Sequence, residues 1–465
     1  MSKHQAHGRG CIFAVTVVLA LLLGHVVEVA SGGAQQEHAR ASVQKWLRKA
    51  FRKSKDKFSD AFSRFSEFVQ GDPCPFHDEP FRAASTRLEE SIRGQPLALA
   101  QIRDALEGWW DSDSRPLVLA FTGPTGVGKT ETANQIAEAV LTRRVRRARG
   151  ARYAPAGLVM LRGEDFSDEH VPVSRHHRAI KRRLSRELTA CLGHAVVIFD
   201  EVQKVAPGVL DVMLPLLGNR AELTYEDDFG EERVLSCNKV IFIFISDIGA
   251  GKMYDAILEF DGRENIPRRK LIRLTKRVLD NQWQRLRFNH YIDRAVPFLP
   301  LEAPQIEDVV KLKLEALAMR GKMGKFPLWG ELDYASELTR TLASRQFIKY
   351  DKMLDDEDVS RSRFFAKFGG RNVVTNGPLQ LLKAVLRRLM PSPVADAELS
   401  QVRIRVGSDS TDIDHTIIIE RCVYARKEPG EGRFESAESC SDGDGHFNEQ
   451  CEEACTTLWS GNLLQ

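Results

Sequence analysis

The sequence predicts an α/β fold in which a parallel sheet is flanked by helices, and three observations carry that prediction. Apolar runs at Leu117 to Phe121, Ala195 to Phe199 and Val240 to Ile245 are continuous, as strands buried on both faces are. Each run ends in glycines or polar residues, the composition of strand tips that converge on a ligand. Helix-like stretches separate strands expected near 117, 157, 195 and 239, which is the βαβ alternation of a doubly wound domain.

The first strand runs into Gly123-Pro124-Thr125-Gly126-Val127-Gly128-Lys129-Thr130, and a helix begins with Glu131 close behind. Such a turn lets backbone N–H groups face phosphates, with Lys129 placing a cation on the β and γ oxygens and the Thr130 hydroxyl ligating Mg²⁺. ATP and Mg²⁺ are the expected ligands. The second strand ends in Asp200-Glu201. Asp200 suits Mg²⁺ held through its water shell, and Glu201 suits the base that polarises the water attacking the γ-phosphate. The third ends in Ser246-Asp247, again polar residues at the tip of a buried strand.

With 465 residues and 43% hydrophobic composition, the chain has room for two or three domains and a packed core. Its formal net charge of +3 is small for that length, so no global field argues for nucleic acid or acidic substrates. Arg143, Arg144, Arg146, Arg147 and Arg149 read as the end of the helix after the Gly-rich loop, where cations favour the negative end of the dipole. No aromatics interleave with them for base stacking, so no nucleic-acid partner is expected.

Lys3 and Arg9 precede an apolar run from Cys11 to Leu23 and the small residues Ala30, Ser31, Gly32 and Gly33. That order makes residues 1–33 a signal peptide or a retained signal anchor, with an organellar transit peptide the third reading. An oxidising lumen would permit disulfides. Cys422, Cys440, Cys451 and Cys455 crowd the C-terminal end, while Cys74, Cys191 and Cys237 are scattered. Tail disulfides are expected, with zinc at Cys440, His446, Cys451 and Cys455 the remoter alternative.

Residues 40–75 read as a basic amphipathic helix and a linker. Trp46, Leu47, Ala50, Phe51, Phe58, Phe62 and Phe65 fall near helical spacing, and Lys45, Arg48, Lys49, Arg52 and Lys53 make the first half basic. Residues 43–69 would pack on the body or a neighbouring subunit, or contact an anionic membrane surface. Asp72-Pro73-Cys74-Pro75 marks the linker. Beyond Pro304, helices are expected near 304–320, 331–347 and 376–390, then a β-hairpin from Val402 to Val406 and Thr416 to Glu420. Glu428 to Glu453 is rich in Gly, Ser and acids, so it is expected to lack regular structure except where cysteines pin it.

With these elements in place, about Leu88 to Leu389 resembles the AAA+ ATPases, specifically the torsins and their Clp-type relatives. The likeness is carried by Val197-Ile198-Phe199-Asp200-Glu201, by Ile241 to Ser246, and above all by Ile292-Asp293 followed by Val296-Pro297-Phe298-Leu299-Pro300-Leu301-Glu302. Cys191 also falls where torsins carry a cysteine. The resemblance implies an AAA+ P-loop NTPase domain over 85–303, a helical lid with a small β-hairpin over 304–425, and an acidic Cys-containing tail over 426–465. It implies that Lys129 and Thr130 form the Walker A pair and Asp200 and Glu201 the Walker B pair. Asp247 becomes the sensor at the γ-phosphate and Arg371, after Gly370, the second sensor in the lid. Ile92 and Arg93, before Gly94-Gln95, would border the adenine.

Three departures from torsins stand out. Thr130 replaces their usual Asn, Gly369-Gly370-Arg371 replaces a redox-linked Gly-Cys-Lys, and Asp247 replaces an Asn, setting a carboxylate beside a phosphate. Tyr291 occupies the place of the Clp-type arginine finger, which torsins also lack, and a finger contributes about 10³ to 10⁵ in rate. Arg285 and Arg287 are rival fingers or ordinary surface arginines. Asp165 to Leu184 contains no aromatic-Gly pore loop. The resemblance thus implies an ATPase of the endoplasmic reticulum lumen and nuclear envelope, assembled as a homo-oligomeric ring or filament. It would be slow until a membrane-anchored lumenal activator donates an arginine, and would remodel protein or membrane-associated substrates. Thr130, Arg371 and the hairpin favour instead a Clp-like unfoldase, and Tyr291 and Asp247 suit a nucleotide-gated scaffold with negligible hydrolysis.

Overall fold

The computed structural model describes residues 74–112, 115–146, 153–227, 230–282, 288–322, 328–354, 362–390, 400–407, 416–426 and 451–463. Residues 1–33, 43–69, Arg147, Arg149, Arg285, Arg287, Cys440 and His446 lie outside these. Helices α1 (Pro80–Ser91) and α2 (Pro96–Ser112) each open on a proline, whose missing N–H would have no helical partner at that position. Strand β1 (Leu117–Thr122) leads through the Gly-rich turn into α3 (Lys129–Val140).

Helix α3 stops short of the arginines assigned to its end. Residues 75–77 capture the backbone beyond it: His77 N donates to Val140 O at 2.8 Å, and Thr142 N donates to Pro75 O at 3.3 Å. Leu141 turns extended with its side chain buried, and Arg144 to Arg146 form strand β2 (Arg144–Arg146), paired antiparallel with β3 (Tyr153–Pro155).

Strand β4 (Leu158–Arg162), helix α4 (Val173–Ala190) and strand β5 (Ala195–Asp200) follow. An antiparallel hairpin, β6 (Glu222–Glu226) and β7 (Glu232–Ser236), precedes β8 (Val240–Ser246). Helices α5 (Ala250–Glu259) and α6 (Arg268–Gln282) then lead to β9 (Arg294–Pro297). The central sheet has the order β4-β5-β8-β1-β9, and every neighbouring pair is parallel. Alternate residues feed two cores. Leu119, Phe121, Ile198, Ile243 and Val296 pack on α1, α2 and α3, while Val118, Ala120, Val197, Phe199, Phe242 and Phe244 pack on α4 and the turn of helix at Val209–Leu216. This two-sided burial is why the strands read as unbroken apolar runs. The Ile292-Asp293 pair also gains a structural reason: Asp293 N donates to Val118 O at 2.9 Å and Asp293 Oδ2 accepts from Val118 N at 2.8 Å, which docks β9 onto β1.

The lid begins with α7 (Ala303–Lys322). Residues 331–347 are not one helix but strand β10 (Glu331–Tyr334) followed by α8 (Ser336–Leu342). Exposed Glu331 and Asp333 alternate with buried Leu332, a two-residue period that suits a sheet. Strands β11 (Tyr350–Leu354) and β12 (Ser362–Ala366) pair antiparallel, and α9 (Arg371–Val374) and α10 (Pro378–Leu389) follow. The expected hairpin is β13 (Ser400–Gly407) with β14 (Thr416–Arg426), but it is the middle of a four-stranded sheet, β10-β13-β14-β15, whose last strand β15 (Cys451–Gly461) comes from the presumed tail. Val402, Ile404, Ile417 and Ile419 place that sheet in the same core as α7 and α10.

Two disulfides tie the ends down. Cys422 and Cys455 face each other across β14 and β15. Cys455 is thereby removed from any zinc set, and the described residues show only Glu420 beside these bonded cysteines as a metal-like group. Cys74 bonds Cys191 across 117 residues, so the end of the supposed linker is fastened to the residue that caps the C-terminal end of α4. Cys237 is a buried free thiol, pushed up to about 12 by burial. Among the described residues no helix is long and apolar enough to cross a membrane.

Candidate nucleotide site

The tips of β1, β5 and β8 open into a cleft of about 310 Å³ roofed by the lid. It is lined by Ile92, Thr125, Gly126, Val127, Gly128, Lys129, Thr130, Glu131, Asp200, Glu201, Asp247 and Arg371, so these sequence-identified residues share one cavity. Gly123 and Pro124 contribute from behind it, through carbonyls turned onto Lys129. Glycines are required by contact here. A Cβ on Gly123 would stand 2.1 Å from Phe298 O, and one on Gly126 would stand 1.9 Å from Phe368 O, so β9 and the lid both press against the loop backbone. The loop is further fixed by buried Gln95, whose Nε2 donates to Val127 O at 3.2 Å and Leu299 O at 2.8 Å, while its Oε1 accepts from Leu299 N at 3.0 Å.

Lys129 is 6% exposed and donates to Gly123 O at 2.5 Å, Pro124 O at 2.7 Å and Asp247 Oδ1 at 2.7 Å. Burial holds its ammonium below the usual lysine value, and the Asp247 charge and hydrogen bond offset that only in part. Asp247 also accepts from Thr125 Oγ1 at 2.7 Å. Burial alone would push its carboxyl up, but the Lys129 charge and the Lys129 and Thr125 hydrogen bonds together leave it below the normal range. Asp247 is therefore an ionised counter-ion to the loop lysine.

Thr130 Oγ1 donates to Asp200 Oδ2 at 3.0 Å. Asp200 is raised above the usual carboxylate value, first by burial and further by the Glu201 charge, against the opposing Thr130 hydrogen bond. Two acids beside a hydroxyl fit a hard, oxygen-seeking cation such as Mg²⁺. When bound there, Mg²⁺ would neutralise charge on the phosphate oxygens. Glu201 adopts a left-handed φ of 54°, an uncommon conformation for a residue with a side chain, and it accepts from Gln203 Nε2 at 2.7 Å with Lys204 Nζ 3.3 Å away. Gly163 makes room for this turn, since a Cβ on it would come 2.0 Å from Glu201 O. Sequence reasoning missed Gly163 and Gln203. The second could be found as a polar neighbour two residues past Glu201; the first has no local signal.

On the lid side, Gly370 N donates to Gly126 O at 2.9 Å, bringing Arg371 to the cleft. Ile92 is buried at the cleft wall and Arg93 lines it beside Ser91. Tyr291, in the finger position, packs against the core under the sheet, 3.6 Å from where a Gly218 Cβ would be.

Comparisons with known proteins agree with this geometry. Residues 115–281 match the family described as the AAA domain (Cdc48 subfamily). The chain is 26% identical to the mitochondrial disaggregase of Homo sapiens over 69% of its own length and 48% of that relative's. It is 26% identical to the chaperone protein ClpB of Chlamydia pneumoniae, over 52% of this chain and 27% of the relative, and 31% identical to the Rattus norvegicus mitochondrial disaggregase, over 37% and 25%. The chain thus spans between about a quarter and a half of the length of these relatives. In fold and in sequence the matched region is similar to AAA domains, including those of relatives named as ClpB and a disaggregase.

Proposed function

We propose that the chain uses ATP binding and hydrolysis to remodel protein substrates in the manner of Clp-type ATPases, as an oligomer. The observation that carries the reading is the joint placement of Lys129, Thr130, Asp200 and Glu201 in one cleft closed by Arg371 from the lid. Lys129 would hold the phosphates, Thr130 and Asp200 the Mg²⁺, and Glu201 the attacking water. Relatives named as a disaggregase and a chaperone support a protein substrate.

The finer reading is torsin-like: a lumenal ATPase, of the endoplasmic reticulum and nuclear envelope, that waits for an activator's arginine. Two observations favour it. The disulfides Cys74–Cys191 and Cys422–Cys455 suit an oxidising compartment. Tyr291, set into the core, leaves the finger position without a guanidinium. ATP turnover and unfolding of a fluorescent reporter by the purified chain test both levels. Slow turnover that is abolished in Glu201→Gln and accelerated by a membrane fraction of the same compartment supports the finer reading. Brisk unaided turnover with reporter unfolding leaves the Clp-like reading and removes the activator, and undetectable nucleotide binding removes both.

A further inference from the structure

A phosphate that reaches Lys129 competes with partners that already engage its whole ammonium group. An ammonium group has three hydrogens, and those of Lys129 are all engaged, by Gly123 O, Pro124 O and Asp247 Oδ1. Asp247 is fixed from its other oxygen by the Thr125 hydroxyl, a residue of the loop itself. The lysine of a Gly-rich loop of this spacing reaches the β- and γ-phosphates. A carboxylate 2.7 Å from that ammonium therefore stands where those phosphates arrive.

We propose that Asp247 is a specificity-determining residue that makes this cleft favour nucleoside diphosphate over triphosphate. The inference rests on the nucleotide-site reading above and adds which nucleotide the site prefers. A diphosphate brings only its β-phosphate to Lys129, which leaves the remainder of the ammonium to Asp247. A triphosphate extends further along the lysine and brings additional negative charge against a carboxylate held in place from two sides. Like charges at such separations oppose one another strongly in a partly buried site. Asp200 and Glu201 add two acids to the same cleft, and Mg²⁺ held there accompanies either nucleotide, so it does not remove the difference made by Asp247. An amide in its place keeps the size, removes the charge and supplies two N–H donors that a phosphate oxygen can accept from.

Calorimetric binding of Mg·ATP and Mg·ADP to the full chain tests this, in the wild type, Asp247→Asn and Asp247→Glu. The wild type should bind ADP at least as tightly as ATP. Asp247→Asn should move the affinity ratio toward ATP by about tenfold or more, while Asp247→Glu, which keeps the charge, should stay within about threefold of the wild type. Should Asp247→Asn fail to fold, as judged by its thermal unfolding, Asp247→Ala gives a second charge-free variant with the same expected direction. A charge-free variant that binds ADP with an unchanged ratio overturns the proposal and leaves the nucleotide site standing. Wild type that binds neither nucleotide overturns the site, and the proposal with it.

Discussion

The two main sheets of this molecule solve the same problem by different means. The central sheet is parallel, sealed on both faces, and delivers its chemistry only at one edge, where Asp200 and Asp247 emerge at the tips of β5 and β8. The lid sheet buries alternate residues of β13 and β14; its last pair, β14 and β15, is fastened by the Cys422–Cys455 bond, and β13 is tied to β14 by Arg405, which grips mostly buried Glu420 through two nitrogens at 2.5 and 3.0 Å. Apolar burial on both faces holds the first sheet, with the Asp293 carboxylate tying β9 to β1 just ahead of the strand. A sheet gathered from residues as distant as Glu331 and Gly461 relies on covalent and ionic ties.

The comparison breaks most readily at its fastenings. In the chain-entropy picture, losing a bond that closes 117 residues costs about 5 kcal/mol, and one that closes 33 costs about 4. Cys74→Ser should therefore lower the midpoint of global denaturant unfolding, because Cys191 sits just before β5. Cys422→Ser should instead release β15 first, seen as rapid amide exchange confined to Cys451–Gly461 while the central sheet stays protected. If both variants unfold in one step at the same midpoint, the sheets are a single cooperative unit and the contrast between them fails.

Next in size, Lys129→Ala should weaken ATP binding about a hundredfold, since it removes a charged hydrogen-bond donor from the phosphates. The amide exchange of β13 to β15 should be unchanged, which would separate site chemistry from lid stability. Smaller again, Glu420→Gln should cost about 1 to 2 kcal/mol, because Arg405 keeps part of its head in water and loses only the ionic component of the pair. A denaturant midpoint for loss of the β13–β14 pairing, followed by amide exchange with and without the substitution, reads it.

How far the chain could be read from its sequence follows the same division. The central strands were legible because burial on both faces writes itself as consecutive apolar residues, and the cleft was legible because its residues cluster within a few positions of each strand tip. The lid sheet was legible only in its β13–β14 hairpin. β10 offers only four residues of alternation, and its partner Val402 lies 70 residues from Leu332, so nothing nearby in sequence distinguishes it from the start of a helix. β15 sits in an acidic, Gly-rich neighbourhood whose composition argues against order, and its strand exists through pairing with β14. Likewise the Cys74 partner and the role of Gly163 depend on approaches between distant segments.

The smallest effect lies within the central sheet, where two carboxylates of one cleft shift in opposite directions. Asp247 lies below the normal range, so the unfolded chain binds its proton at a higher pH than the native one does, and the stability it lends is present above the unfolded value near 3.8 and is lost as pH falls through the lower native value. Asp200 lies above, chiefly through burial, so the native state holds its proton where the unfolded chain has released it, and its ionisation costs stability as pH rises through that window. In protein free of nucleotide and Mg²⁺, the acid-side slope of stability against pH should become shallower in Asp247→Asn and steeper in Asp200→Asn. Denaturant unfolding at several pH values between about 3 and 5 measures both slopes. Slopes that change in the same direction would mean that Lys129 does not distinguish the two acids, and the Lys129–Asp247 ion pair of the cleft would lose its support.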